Sequence, residues 1–110
     1  MAMPQVEDLM IDDVKAGLAD GSIVVVDVRE AHEFEAGRIP GSLFNPLSGF
    51  DPFLLPSDGR RVVLSCRSGK RSLNAADIAH AAGVAVDAHY AGGMLDWVAH
   101  GEPVETGPAD

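Results

Sequence analysis

A chain of 110 residues fits one domain, able to bury roughly two thirds of its unfolded surface, and 46% hydrophobic residues among mixed charges is the make-up of a soluble globular protein. A formal charge of −9 is read as a solubilising surface and argues against nucleic acid or anionic membrane as partners, since both are bound by neutralising phosphate with Lys and Arg. No apolar run approaches the ~20 residues of a membrane span, the single cysteine excludes an internal disulfide, and the N-terminus lacks the basic-then-apolar pattern of a secretion signal, so a cytoplasmic protein is expected.

Residues 5–9 read as a short edge strand, and Ile11, Val14 and Leu18 at helical spacing predict a first helix ending near Asp20-Gly21. Residues 23–28 are an unbroken β-branched run around one aspartate, the pattern of a central strand covered on both faces. A short helix over 30–36 closes at Gly37, and the Ile39-Pro40-Gly41 turn leads to a short strand over 42–45. Residues 46–59 are rich in turn formers and read as loop, with Phe50, Phe53, Leu54 and Leu55 tucked against the body. Val62, Val63 and Leu64 predict a second buried strand that delivers Cys66 to its carboxyl end.

A tight polar loop follows, Arg67, Ser68, Gly69, Lys70 and Arg71, with Ser72 as the N-cap of a helix whose apolar stripe is Leu73, Ala76, Ile78 and Ala79. Gly83 reads as that helix's C-cap, 84–90 as a strand with Val84, Val86 and Ala88 in alternation, Gly92-Gly93 as a turn, and 94–99 as the last helix with Trp97 in the core. The small, polar residues 106–110 are expected to be disordered. Strands separated by helices imply an α/β fold with right-handed parallel crossovers, whose ligands bind outside the strands' carboxyl ends. Cys66 occupies such an end.

The reactive form of a cysteine is its thiolate, which unpaired backbone N–H groups, a helix N-terminus and nearby cations all favour. Gly69 can take positive φ, so that successive N–H groups converge on one anion. A lone cysteine is often a small buried hydrophobe, but an inert core thiol has no use for Arg67, Lys70 and Arg71 within five residues. His32, His80, His89 and His100 lack metal-ligand spacing and share no motif with Cys66, so they read as surface or satisfied core histidines. Neither metal nor cofactor is expected. Asp27 and Arg29 read as a structural, charge-assisted pair.

The stretch C-R-S-G-K-R-S, residues 66–72, resembles the active-site loop of the rhodanese-like sulfurtransferases. V-V-V-D-V-R-E-A-H-E-F-E-A-G-R-I-P-G-S, residues 24–42, is similar to that family's first signature, and A-G-G-M-L-D-W-V-A-H-G-E-P-V-E, residues 91–105, to its closing one. Together they span nearly the whole chain in the family's order. The chain departs from it in having Arg38 where histidine often precedes I-P-G, and in lacking a clear helix over 46–59.

The resemblance implies a single rhodanese-like domain over 1–105, tail 106–110 apart, built on a parallel sheet of about five strands with helices on both faces. It implies that Cys66 takes a sulfane sulfur from a small anionic donor such as thiosulfate, holds it as a persulfide, and passes it to cyanide, a small thiol or a protein thiol. Arg67, Ser68, Gly69, Lys70 and Arg71 would then bind the donor. Two alternatives stand beside it. One is a relay or interaction module feeding a protein partner; the other is a phosphatase or arsenate reductase, whose longer loop carries arginine after five intervening residues where Arg71 follows four.

Overall fold

The apolar runs of the sequence become five strands, all parallel, in a computed structural model that describes residues 5–109. These are β1 (Glu7–Leu9), β2 (Ile23–Asp27), β3 (Leu43–Phe44), β4 (Arg61–Ser65) and β5 (Ala88–Tyr90). Their order across the sheet is β1-β5-β4-β2-β3. The β-branched run of β2 is buried at every position, as two covered faces demand, yet it is β4 that occupies the middle, with β2 between it and the two-residue edge strand β3.

Four helices cover the sheet: α1 (Ile11–Asp20), α2 (Ala31–Ala36), α3 (Lys70–Ala81) and α4 (Gly93–Ala99). Because side chains alternate along a strand, Val25 and Val63 enter one apolar layer and Val26 and Leu64 the other. The first layer is closed by Val14 of α1 and by Met94 and Trp97 of α4. The second is closed by Ala75, Ala76 and Ala79 of α3, with Leu47, Phe50 and Leu55 packed beside them. Trp97 is therefore core, and its indole N–H donates to the Pro103 carbonyl at 2.8 Å.

Several expectations need correction. The buried face of α3 is Ser72, Ala75, Ala76 and Ala79, while Leu73 and Ile78 are exposed; small alanines let the helix lie close on the sheet, which larger side chains would hold off. Residues 46–59 hold two 3-10 turns, Leu47–Gly49 and Pro52–Leu54, and Phe53 and Leu54 point to solvent rather than tucking inward. The expected strand over 84–90 pairs only at Ala88–Tyr90, because its edge partner β1 is itself three residues long. Apart from these corrections, Glu105 and Gly107 hydrogen-bond to α2 and its exit, through Arg38 N–H to Glu105 O at 2.9 Å, Gly107 N–H to Glu35 O at 3.0 Å and Arg38 Nη1 to Gly107 O at 3.0 Å. Asp110 lies outside the described residues.

Candidate active site

β4 ends at Ser65, and Cys66 follows at the carboxyl edge of the sheet with 1% of its surface exposed. The loop then turns at Gly69, whose φ of +95° is left-handed and whose hypothetical Cβ would stand 2.5 Å from the Ala91 carbonyl oxygen. Only glycine meets both conditions without strain. Gly69, and not Ser72, is the N-cap of α3, which starts at Lys70. Ser72 is instead the third helical residue, fully buried, with its hydroxyl oxygen 3.1 Å from the Gly69 carbonyl oxygen. Gly93, with φ of +61°, closes the loop from the other side, where a Cβ would collide with the carbonyl oxygens of Cys66 and Arg67. From that turn Met94 and Leu95 donate their N–H groups to those same carbonyls at 2.9 and 3.1 Å.

This backbone path points the first turn of α3 at the sulfur. Gly69 N–H donates to Cys66 Sγ at 3.1 Å and Ser72 N–H at 3.4 Å, and Ser72 Oγ lies 3.6 Å away. Burial pushes the thiol's pKa up, but the hydrogen bonds from the Ser72 hydroxyl and from the Ser72, Ser68 and Gly69 backbone outweigh it, so the net displacement is below the ordinary thiol value. A buried sulfur with several donors and no carboxylate among its partners is a site built to hold negative charge on sulfur.

The three loop cations are not alike. Arg71 is engaged through both terminal nitrogens by Glu33 of α2, at 2.7 and 2.9 Å, and its guanidinium holds the Glu33 carboxyl down at about 2. Arg67 and Lys70 are exposed. Of the chain's eight Lys and Arg, five pair with carboxylates: Lys15, Arg29, Arg60, Arg61 and Arg71. Arg38 lies over the Phe34 ring at 4.4 Å and donates to two carbonyls. That leaves Arg38, Arg67 and Lys70 without an acidic partner among the described residues, and of these only Arg67 and Lys70 lie in the loop.

Asp27 and Arg29 form the structural pair that the sequence led us to expect. Both are buried, with Arg29 Nη2 at 2.8 Å from Asp27 Oδ2 and 2.7 Å from the Gly37 carbonyl, so the pair locks the exit of β2 to the end of α2. A groove of about 430 Å³ runs beside the loop, walled by Met94, Leu95, Val98 and Val104 with Arg67 at its edge. No cluster of three or more His, Cys, Asp or Glu among the described residues is arranged to hold a metal ion, and no helix among them is long and apolar enough to cross a membrane.

Sequence reasoning missed two residues. His89 of β5 is buried, with Nδ1 2.7 Å from Ser72 Oγ and Nε2 2.6 Å from Asp8 Oδ1 of β1. Neither shares a local motif with Cys66. The strand register brings them together, since Asp8 pairs with His89 and His89 with Leu64, two residues before the cysteine.

Comparison with known proteins agrees with this geometry. The model of the Rhodanese-like domain family matches residues 10–100. The chain is 31% identical over 112 residues to a thiosulfate:glutathione sulfurtransferase of Saccharomyces cerevisiae, covering 87% of this chain and 81% of that protein. It is 40% identical over 83 residues to an uncharacterised Synechocystis protein, covering 74% of this chain but 46% of that longer one. The solved structure of a human single-domain sulfurtransferase superposes with a TM-score of 0.71 at 27% identity, covering 84% of this chain and 95% of that one. By its sequence, its five-stranded parallel sheet and the loop that cradles its one cysteine, the chain belongs to the rhodanese-like domain family of sulfurtransferases.

Proposed function

We propose that the protein is a thiosulfate sulfurtransferase in which Cys66 is the nucleophile and persulfide carrier. The observation that carries the reading is the convergence of Gly69 and Ser72 N–H groups on Cys66 Sγ. The thiolate attacks the outer sulfur of thiosulfate, the S–S bond of the donor breaks, and sulfite leaves with the bonding pair. Cys66 then bears a persulfide anion held by the same donors. Attack on its outer sulfur by cyanide or a thiolate releases thiocyanate or a new persulfide and restores the Cys66 thiolate. Arg67 and Lys70, at the loop's exposed rim, attract the dianionic donor; Ser68, Gly69 and Arg71 shape the ring.

The chain has no other cysteine to resolve the persulfide, so turnover depends on an external acceptor. The apolar groove beside Arg67 supports a second reading within the same chemistry, in which the acceptor is a protein thiol presented with apolar neighbours in a reducing cytoplasm. Phosphatase chemistry is disfavoured. Both terminal nitrogens of Arg71 are taken by Glu33, and a phosphoryl group would need that fork.

Intact mass spectrometry tests the reading. Thiosulfate should add the mass of one sulfur atom to wild type and none to Cys66→Ser, and cyanide should remove it as thiocyanate. Absence of the adduct in folded wild type, or thiocyanate formation by Cys66→Ser, would overturn it.

A further inference from the structure

We propose that Ser72, His89 and Asp8 form a proton path that carries the Cys66 thiol proton onto His89, so that the sulfur enters its reaction as a thiolate balanced by a buried imidazolium. This rests on Cys66 being the reacting sulfur, and it adds two residues that touch neither sulfur nor donor. They are positioning residues that act through Ser72.

Hydrogen placement in the buried chain leads to this step. Ser72 has one hydroxyl hydrogen and three neighbours: Cys66 Sγ at 3.6 Å, the Gly69 carbonyl at 3.1 Å and His89 Nδ1 at 2.7 Å. Asp8 Oδ1, at 2.6 Å from Nε2, accepts a hydrogen from that nitrogen. When Cys66 is a thiol, one arrangement satisfies the chain: S–H donates to Ser72 Oγ, Ser72 O–H donates to Nδ1, and Nε2–H donates to Asp8. Shifting each of two protons by one bond gives the other arrangement. The S–H bond breaks as a new O–H bond forms on Ser72, and the original Ser72 hydrogen moves to Nδ1.

The result is a thiolate, a neutral serine whose hydrogen now faces Sγ or the Gly69 carbonyl, and an imidazolium between Ser72 and the Asp8 carboxylate. No electron changes hands and no proton leaves. The thiolate keeps the N–H donors of Gly69 and Ser72. His89 side-chain exposure is 2%, whereas that of Asp8 is 70%, so the path ends on a buried imidazole anchored by a carboxylate in water. A buried imidazole meeting only apolar groups would gain nothing from charge; this one has an anionic acceptor on one nitrogen and a hydroxyl relay on the other.

Among the described residues the ring nitrogens of His89 meet only Ser72 and Asp8, and other charged groups nearby are turned elsewhere. On β4 its register partner is the apolar Leu64. Arg61 of the same strand is turned to Glu7 and Asp87, and on α3 Arg71 is held by Glu33. Tyr90, next along β5, donates to Asp96 instead.

The test reads the ionisation of Cys66, not sulfur transfer. The rate of iodoacetamide alkylation should be followed against pH in wild type, His89→Gln, Ser72→Ala and Asp8→Asn. His89→Gln can hydrogen-bond to Ser72 but cannot take its proton, so the alkylation midpoint should rise by about one pH unit, a roughly ten-fold slower reaction below the midpoint. Asp8→Asn, whose amide oxygen can still accept from Nε2 but carries no charge, should shift it in the same direction by less. Because His89→Gln can fail to fold, ¹⁵N shifts of His89 should also be compared in wild type and Cys66→Ser. Both ring nitrogens should carry protons in wild type at a pH where His89 of Cys66→Ser is neutral.

An unchanged midpoint in folded His89→Gln, or a His89 titration identical with and without the thiol, would overturn the path. Either result leaves persulfide formation intact as a separate question. Conversely, a shifted midpoint in a protein that takes no sulfur from thiosulfate would keep the path and remove the sulfurtransferase reading.

Discussion

Replacing Gly69 by alanine tests whether the cradle depends on backbone geometry or merely on the presence of a cysteine and cations. Two costs combine. The first is conformational: a φ of +95° is a region that a residue with a Cβ occupies at about 1–3 kcal/mol. The second is steric, because the new methyl would meet the Ala91 carbonyl oxygen at 2.5 Å, and a backbone atom clamped between β5 and α4 cannot swing aside as a side-chain tip would. Forced overpacking of this sort costs about 1–3 kcal/mol. A combined loss of about 3 kcal/mol lowers Tm by roughly 12–20 °C in a domain of this size.

A control separates the two terms. Gly21, which follows α1, also has positive φ, +75°, but nothing lies within 4 Å of its hypothetical Cβ. Gly21→Ala should therefore show the dihedral cost alone, roughly 1 kcal/mol. Differential scanning calorimetry of the two variants, with thiosulfate loading of each by intact mass, gives both readouts. Gly69→Ala should melt well below Gly21→Ala and load sulfur more slowly, since relief of the clash moves the Gly69 N–H away from Sγ. Equal melting of the two variants, with wild-type loading by Gly69→Ala, would refute the claim that this contact shapes the site.

Asp27→Ala leaves the Arg29 guanidinium buried without its carboxylate, and urea unfolding should register a loss of about 3–5 kcal/mol; a loss below about 1 kcal/mol would mean the pair does not hold β2 to α2. Arg67→Ala and Lys70→Ala should each lower kcat/KM for thiosulfate about ten-fold, as expected when a charge-assisted contact to the donor is lost, and a change under about two-fold in both would leave these side chains as a solvated rim. The Glu33 carboxyl is held from its ordinary 4.5 down to about 2, first by its hydrogen bonds from Arg71. Its contribution to stability is thus fully present above pH 4.5 and is lost as pH falls through about 2. Denaturant midpoints measured from pH 5 to 2 should fall more steeply in wild type than in Glu33→Gln, and parallel curves would contradict this pairing.

The β-branched runs of β2 and β4 were legible because a strand covered on both faces has no polar alternation to disguise it, and with them came the position of Cys66. The cradle was half legible. Gly69 carried its conformational signal in its identity, but Ser72 is no cap, since the left-handed turn at Gly69 starts the helix three residues earlier and sends the serine hydroxyl inward. The alanine face of α3 was misassigned because periodicity alone cannot choose between a stripe of large side chains and one of small ones; the spacing between helix and sheet chooses. Asp8 and His89 stand 81 residues apart. Their meeting depends on β1 pairing with β5, a fact of strand order that no local pattern encodes. The Arg71–Glu33 pair is hidden for the same reason, being a contact between the first turn of α3 and α2 across 38 residues.

That pair also reorders the electrostatics of the site. On a chain of charge −9, an anionic donor meets net repulsion at a distance, but salt screens charges beyond a Debye length of about 8 Å at physiological ionic strength. What acts at the loop is whatever charge there is not already neutralised. Five of the eight cations are matched by carboxylates, Arg71 among them, and Arg38 is turned to the Phe34 ring and two carbonyls, so the unmatched positive charge of the loop is that of Arg67 and Lys70, on either side of Gly69. On the proposed reading, a donor drawn there would meet the ring whose N–H groups hold Cys66 Sγ, and the proposed proton path would leave that sulfur through Ser72. Attraction and activation thus rest on different residues, and the two can be impaired separately: rim variants should raise KM for thiosulfate without moving the alkylation midpoint of Cys66, and His89→Gln should move the midpoint without the KM effect of losing a cation.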